Sequence, residues 1–538
     1  MTDREGWKRT LAWLFAPERT GPGHLWPRWV FLRALGLVFL SAFYSLAYQI
    51  QGLIGPTGIL PADTYLARLA EAVPGVARFW YAPTLLWLGA GHGALTALVV
   101  VGSAASVLLV VGVWPRASIA VAFLAFLSFI GAAEDFASYQ SDGMLLEAGF
   151  LAVFYAPSGF FPRLGADSPP SRAATFLLQW EWFRIYFESG VVKLASGDPS
   201  WRDLTAMDHY YENGPLPTWL GWYVQHWGHG FQAATVVLTL VVELGLVWCL
   251  FFPRPFRLAC FAIVTTLQIG IILTANYAFL NYLVLSLGFL LLDDESFVKG
   301  VALLRRRRAP EDTADDVRPK VEPPAWKLAL LGAPLVWVFY ATCAVFLFTA
   351  APPELGWLVW PAHVLEPFRI ANRYGLFAVM TPARYEIEFQ GTRDGQTWTA
   401  YPFRYKPQAV DAPPGIYAPY QPRFEWNLWF ASLGSCRDNR WVLTTEARLL
   451  DNDASVLSLF ASNPFEGAAP TEVRSVASQY WFTDRATKAA TGRWWRREAI
   501  GPYCPAVMRT ADGGMRVVQA PRQGTAGRTD PFPKSRTM

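Results

Sequence analysis

Trp29-Val-Phe-Leu-Arg-Ala-Leu-Gly-Leu-Val-Phe-Leu-Ser-Ala-Phe-Tyr-Ser-Leu-Ala-Tyr-Gln-Ile50 is an apolar run interrupted by one charge, Arg33. A helix needs about 20 mostly apolar residues to cross the hydrocarbon core of a bilayer. This stretch has that length, and eight more runs follow the same rule: 92–113, 117–134, 143–157, 176–195, 231–252, 257–275, 277–292 and 327–349. The expected fold class is an α-helical polytopic membrane bundle of about nine transmembrane helices, followed by a small C-terminal exoplasmic β-rich α+β domain. The run 143–157 is short and 176–195 carries charges, so tilt, re-entry and burial inside the bundle all stay open for both.

Composition agrees with a membrane protein. The chain is 53% hydrophobic and 15% aromatic, with 16% charged residues, against about 25% charged in a typical soluble domain. A net charge of +4, without a basic stripe interleaved with aromatics, excludes nucleic acid as a partner. The lipid bilayer is the partner that composition implies.

Charge placement orients the bundle. With residues 1–28 cytoplasmic, nine crossings leave 1–28, 114–116, 158–175, 253–256 and 293–326 on the inside. These hold Arg4, Lys8, Arg9, Arg19 and Arg28, then Arg116, Arg163, Arg172 and Arg254, then Lys299, Arg305 to Arg308, Arg318 and Lys320. The opposite loops hold Arg68, Arg78, Arg202 and little else. This positive-inside pattern puts the C-terminal domain on the exoplasmic side. The first 28 residues are polar and show no cleavable signal peptide, so the first helix is expected to act as the insertion signal.

Beyond residue 350 the pattern changes. Tyr385-Glu-Ile-Glu-Phe389 alternates with period two, Arg393-Asp-Gly395 makes a turn, and Trp398 to Tyr405 alternates again, which predicts a β-hairpin. Helical patterns follow at 424–433 and 441–461, and the aromatic stretch 476–497 reads as further strand. The domain plan is a cytoplasmic segment 1–28, a transmembrane domain 29–350 with exoplasmic loops 51–91 and 196–230, an exoplasmic domain 351–514 and a disordered tail 515–538. Cys249, Cys260 and Cys343 read as small buried hydrophobes. Cys436 and Cys504 can pair in an oxidising compartment, which spacing alone does not decide.

Ionisable residues inside spans are costly, and each is a functional candidate. On the fifth run, Glu181, Arg184 and Glu188 fall within about 60° on a helical wheel and can pair at i,i+3 and i,i+4. Lys193 points away from that stripe. Glu147 and Glu243, from other runs, are its candidate partners. A structural ion-pair network, a desolvated base at Lys193, and snorkelling to the interface are the three readings of this cluster. Gln140, Asp142 and Glu147 gather before the fourth run. The loop 196–230 carries Asp198, Trp201, Arg202, Asp203, Asp208 and His209, then Trp219, Trp222, Tyr223, His226, Trp227 and His229. It is too long and aromatic for a plain connector, and reads as an interfacial cap or as the lining of a cleft. No HExxH, P-loop, nucleophile elbow or dinucleotide fingerprint stands in a suitable context, so neither metal nor cofactor is expected. The glycines and prolines of Gly52-Leu-Ile-Gly-Pro-Thr-Gly-Ile-Leu-Pro61 call for turns.

Taken together, several ordered blocks resemble the lipase maturation factor family. They are Gly52–Pro61, Asp142-Gly-Met-Leu-Leu-Glu-Ala-Gly-Phe-Leu-Ala152, Phe183-Arg184, Ser189-Gly-Val-Val-Lys-Leu194 and Gly197-Asp-Pro-Ser-Trp-Arg-Asp-Leu204. Further on are Ala371-Asn-Arg-Tyr-Gly-Leu-Phe377, Tyr385–Phe389, Pro422-Arg-Phe-Glu-Trp426 and Asn463-Pro-Phe465. The resemblance implies an endoplasmic-reticulum membrane protein that assists the folding and assembly of secreted lipases, with no assigned catalytic residue. In that reading Asn372, Arg373 and Tyr374 belong to scaffold or client surface, and the partner is a secreted client such as a lipase. A shorter stretch, Gly190-Val-Val-Lys-Leu194, is similar to the vitamin K-dependent carboxylase superfamily. It implies the alternative function, a membrane-embedded modifying enzyme with Lys193 as base. No N-x-[ST] acceptor is present, and abundant Ala, Arg, Pro and Trp suggest a GC-rich genome. A bacterial plasma membrane is the location expected from these features.

Overall fold

Helix α1 (Leu25–Ile54) opens the bundle and is longer at both ends than the expected 29–50. Polar Gln49 and Gln51 do not stop it, because helix formation depends on backbone geometry that glutamine tolerates well. The chain leaves the helix only at Gly55-Pro56, where a proline disfavours helical geometry for the residue before it. The turn then folds back: the Ile59 and Leu60 amides donate to the Gly52 and Leu53 carbonyls at 2.9 and 2.8 Å. In this computed structural model, residues 23–304, 325–347 and 356–519 are described, with Thr10 and residues 13–15.

The other principal helices are α2 (His92–Val111), α3 (Pro115–Ile130), α4 (Gln140–Tyr155), α5 (Arg172–Ala195), α6 (His229–Leu244), α7 (Arg254–Thr274), α8 (Leu280–Gly288) and α9 (Ala325–Leu347). Among the described residues, five helices are long and apolar enough to cross a membrane: Leu25–Ile54, His92–Val111, His229–Phe251, Arg254–Thr274 and Leu328–Leu347. The count of nine is therefore not reproduced. The 16 residues of α3 and of α4 cover about 24 Å at 1.5 Å per residue, short of the roughly 30 Å hydrocarbon core. Helix α5 is long enough but charged, and it buries Glu181, Arg184, Glu188 and Lys193. Consecutive helices α1 to α6 pack in series, and α8 returns to α1 and α5 to close the bundle. At the α1–α2 crossing, Gly102 lies against the Phe43 ring so closely that any side chain would collide with it, which is how small residues let helices approach.

The C-terminal domain is a six-stranded antiparallel sheet: β1 (Arg384–Thr392), β2 (Thr399–Ala400), β3 (Glu472–Phe482), β4 (Trp495–Pro502), β5 (Ala506–Arg509) and β6 (Met515–Gln519). The order is β2-β1-β3-β5-β6, with β4 also on β3. Helices α10 (Arg423–Ser432) and α11 (Arg440–Leu450) cover it, and Phe389, Phe424, Trp441 and Phe460 are buried between.

Three expectations change here. The predicted hairpin keeps only a two-residue second arm, since Pro402 has no N–H to give the ladder, and β1 pairs along its length with β3 instead. The stretch 476–497 is broken after Phe482 by a helix, Arg485–Thr491, capped by Asp484 and ended by Gly492 at φ 74. Residues 515–519, expected in a disordered tail, form β6 against β5, so the domain runs past 514. The remaining tail (520–538), Arg4, Lys8, Arg9, Arg19, Arg305 to Arg308, Arg318 and Lys320 lie outside the described residues.

Cys436 and Cys504 form a disulfide with Cα atoms 5.3 Å apart and a sequence separation of 68. A loop of that size is worth about 4 kcal/mol in the chain-entropy account. Replacing both by serine is expected to destabilise the C-terminal domain by roughly that amount, read as loss of its urea midpoint. Reductant is expected to do the same to the unaltered protein.

Candidate functional site

The strap Ile370-Ala-Asn-Arg-Tyr-Gly-Leu-Phe377 leads from the bundle into the sheet, and the side chains of α4 and α5 hold it. It is not a free linker. Glu147 Oε2 accepts from the Asn372 amide (3.0 Å), from Asn372 Nδ2 (3.1 Å) and from the Tyr374 hydroxyl (2.8 Å). The other oxygen of Glu147 pairs with Arg184, and both side chains are almost wholly buried. Arg184 Nη1 donates to the Asn372 carbonyl at 2.7 Å and lies 3.6 Å from Glu188. Glu188 in turn accepts the Tyr374 amide at 2.7 Å. Gly143 makes room for this: a Cβ there would fall 2.7 Å from Asn372 Oδ1.

The contacts continue along the strap. Gln140 accepts the Gly375 amide at 3.0 Å. Lys193 Nζ sits 2.9 Å from Glu243, donates to the Leu376 carbonyl at 3.0 Å, and stands 5.1 Å above the Trp201 ring. The Trp201 indole donates to the Phe377 carbonyl at 3.1 Å, and Asp198 accepts the Met380 amide at 2.6 Å. Buried polar groups need partners or they cost stability, and here bundle and strap supply many of them to each other.

A second latch joins the bundle to the sheet domain. Asp142, at the start of α4, accepts from Arg423 Nη1 and Nη2, both at 2.7 Å, a bidentate pair with both side chains buried. Arg423 also donates to the Phe136 carbonyl at 2.9 Å, and the Tyr139 hydroxyl donates to Asn427 at 2.6 Å. Arg384, ion-paired with Glu386, donates to the carbonyls of Glu212 and Pro215, both at 3.0 Å.

Of the residues expected at a site, Gln140, Asp142, Glu147, Arg184, Glu188, Lys193, Asp198, Trp201, Glu243 and Asn372 meet along this seam. Arg202, Asp203 and His209 are exposed and stand apart from it, while Arg373 lies within the strap and is exposed. Asp208 meets His229 at 3.1 Å, while His226 turns its Nδ1 to the Trp222 carbonyl. Among the described residues no group of three or more His, Cys, Asp or Glu could hold a metal ion. The structure decides two details of the α5 cluster, choosing Glu243 from the two candidate partners of Lys193. Glu147 goes to Arg184 and leaves Glu243 to Lys193. Glu181, expected on the Arg184 stripe, lies 3.5 Å from the Tyr374 hydroxyl.

Sequence reading gave no role to Arg423, Arg384 or Asn276, which takes the Tyr417 and Ala418 amides at 2.7 and 3.0 Å, and named Tyr374 only as scaffold or client surface. The signal for Arg423 and Tyr374 was their place in polar blocks flanked by aromatics. Nothing local marked Asn276. The long loop resolves as cleft lining: Trp201, Tyr210, Tyr211 and Trp227 face a cavity between α6 and α7.

Two buried carboxyls of the sheet domain are pushed up by burial. Glu425 goes to about 7 although the amides of Arg404, Tyr405 and Lys406 donate to it. Glu446 goes to about 8, with Ser475 opposing the rise.

An integral membrane protein whose helical bundle grips a strap and a disulfide-bonded sheet domain through buried ion pairs is the class this geometry defines. The family model for the lipase maturation factor transmembrane domain matches residues 26–299, and that for the lipase maturation factor C-terminal domain matches 370–505. The chain belongs to the lipase maturation factor family. It is 32% identical to lipase maturation factor 2 of Gallus gallus over 581 residues, covering 89% of this chain and 81% of that protein. It is 31% identical to lipase maturation factor 1 of Bos taurus, with 92% and 91% covered, and 31% identical to lipase maturation factor 2 of Homo sapiens, with 89% and 82% covered. No solved structure matches the chain.

Arg423→Ala leaves Asp142 buried and unpaired, and is expected to cost about 3–5 kcal/mol, measured by thermal unfolding of the full chain in detergent. The double variant Asp142→Leu, Arg423→Met is expected to recover most of that loss. For Glu446 the folded value of about 8 lies above the 4.5 of a free glutamate. Its contribution is therefore full below the unfolded value and lost as pH rises through the folded one. Unfolding curves from pH 4.5 to 8.5 should show stability falling with pH, and Glu446→Gln should flatten the slope.

Proposed function

We propose that this protein is a membrane-embedded maturation factor that assists folding or assembly of secreted proteins, lipases among them, on the exoplasmic side. The observation that carries the reading is the seam itself. The two family segments meet there, and the charged groups at their junction are engaged with one another, as a rigid platform requires. The disulfide supports an oxidising compartment for the sheet domain, and the Lys/Arg bias supports the same side. The helices α3, α4, α5 and α8 complete the bundle and, in this reading, share its crossings. The client surface is the sheet domain with the adjoining exoplasmic loops, and exposed Arg373, Arg202, Asp203 and His209 border it.

A carboxylase-like enzyme with Lys193 as base is the weaker reading. Its ammonium already has Glu243, the Leu376 carbonyl and the Ser189 carbonyl as partners, and a base must first be released from them.

Co-expression with a secreted homodimeric lipase tests the proposal. Full-length protein is expected to raise secreted lipase activity, and a chain lacking residues 365–519 to return it to background. The secreted lipase should have the same intact mass with and without the protein. A mass increase matching an added carboxyl group would instead establish the enzyme.

A further inference from the structure

A cavity of about 770 Å³ lies between α6 and α7. Pockets of this size hold small organic ligands. Its walls are unusual for a buried site. Both helices are apolar enough to span a membrane, and only 22% and 17% of their apolar windows are buried within the protein. The cavity-lining residues Leu238, Ile263 and Leu273 are 44%, 43% and 47% exposed. In a bilayer the gap between them opens sideways onto hydrocarbon. Along α6 the lining runs from Phe231 to Glu243, about 18 Å at 1.5 Å per residue.

The floor is polar but carries no net charge. Lys193 and Glu243 are the two charged residues of the lining, and they neutralise each other at 2.9 Å. Beside them runs an uncharged hydrogen-bonded chain: Asn281 donates to Gln268 at 2.7 Å, and Gln268 donates to the Tyr186 hydroxyl at 2.7 Å. An anionic headgroup would meet no free cation here. It would also have to pass sideways through hydrocarbon, which is costly for a charge. An ester or hydroxyl can pass at much lower cost and finds hydrogen-bonding groups at the floor.

We propose that this cleft binds an uncharged acyl lipid of the diacylglycerol class, drawn from the bilayer between α6 and α7, with its chains along the apolar walls and its glycerol head on the polar floor. The site stands apart from the maturation reading. Loss of lipase output with lipid binding intact would count against that reading alone.

The test uses the full-length protein in phosphatidylcholine nanodiscs with two photoreactive probes, a diacylglycerol and a free fatty acid, both with the photoreactive group in the acyl chain. The diacylglycerol is expected to label peptides within 231–243 and 262–274. Gly270→Phe and Thr239→Trp fill the cleft from opposite walls, and a Cβ at Gly270 meets nothing within 4 Å, so the fold tolerates the first. Each is expected to cut that labelling about tenfold, equivalent to about 1.4 kcal/mol of lost affinity. Ile269→Phe, on the outer face of α7, is the size-matched control and should leave labelling unchanged. Equal labelling of all outward-facing helices would overturn the proposal, as would indifference to the filling variants or preferential labelling by the fatty acid. Displacement of the lipid by a bound client segment would overturn it as well.

Discussion

The structure depends on one buried ion pair, Glu147 with Arg184. Taking two charges out of water costs several kcal/mol each, and their attraction repays this only when the remaining hydrogen-bonding positions are filled. Within the bundle they are not all filled. The three hydrogen bonds to Glu147 Oε2 come from Asn372 and Tyr374, and one Arg184 nitrogen is taken by the Asn372 carbonyl. Without the strap the helices would bury an under-satisfied carboxylate. The bundle therefore needs the strap, and the strap positions the sheet domain.

That dependence explains why charge is concentrated on α5. Glu188 and Lys193 continue the same work one and two turns further on, taking the Tyr374 amide and offering a proton to the Leu376 carbonyl. The Asp142–Arg423 and Arg384–Glu386 pairs hold the sheet domain from two other directions. With several separated anchors the domain has little freedom to swing against the bundle. The same geometry leaves the Lys193–Glu243 pair as the floor of a cleft, and neutrality there follows from the pairing.

The membrane class was legible because apolar runs as long as 29–50 have few other uses, and the need of Lys193 for a carboxylate from another helix because buried charges must find opposites. Which of two glutamates would pair with which cation was not legible. That choice depends on helix depth and rotation, and neither is written in local spacing. Arg423 escaped notice because its partner lies 281 residues away and its neighbours read as an ordinary amphipathic helix. The hairpin was over-read for a similar reason: period-two alternation marks a strand but not its partner, and β1 chose β3, some ninety residues on. The family resemblance went further than the physics. It marked Ala371–Phe377 as a block worth attention, while its role as a strap rests on contacts with residues 183 to 225 positions earlier in the chain.

The central claim is that residues 370–377 are a structural part of the bundle. Hydrogen–deuterium exchange on the full-length protein in nanodiscs tests it most directly, read at the amides of Asn372 and Tyr374. Both are expected to be protected as strongly as the amides of β3 and to lose that protection in Glu147→Ala. Exchange at the rate of an exposed linker in the unaltered protein would contradict the account.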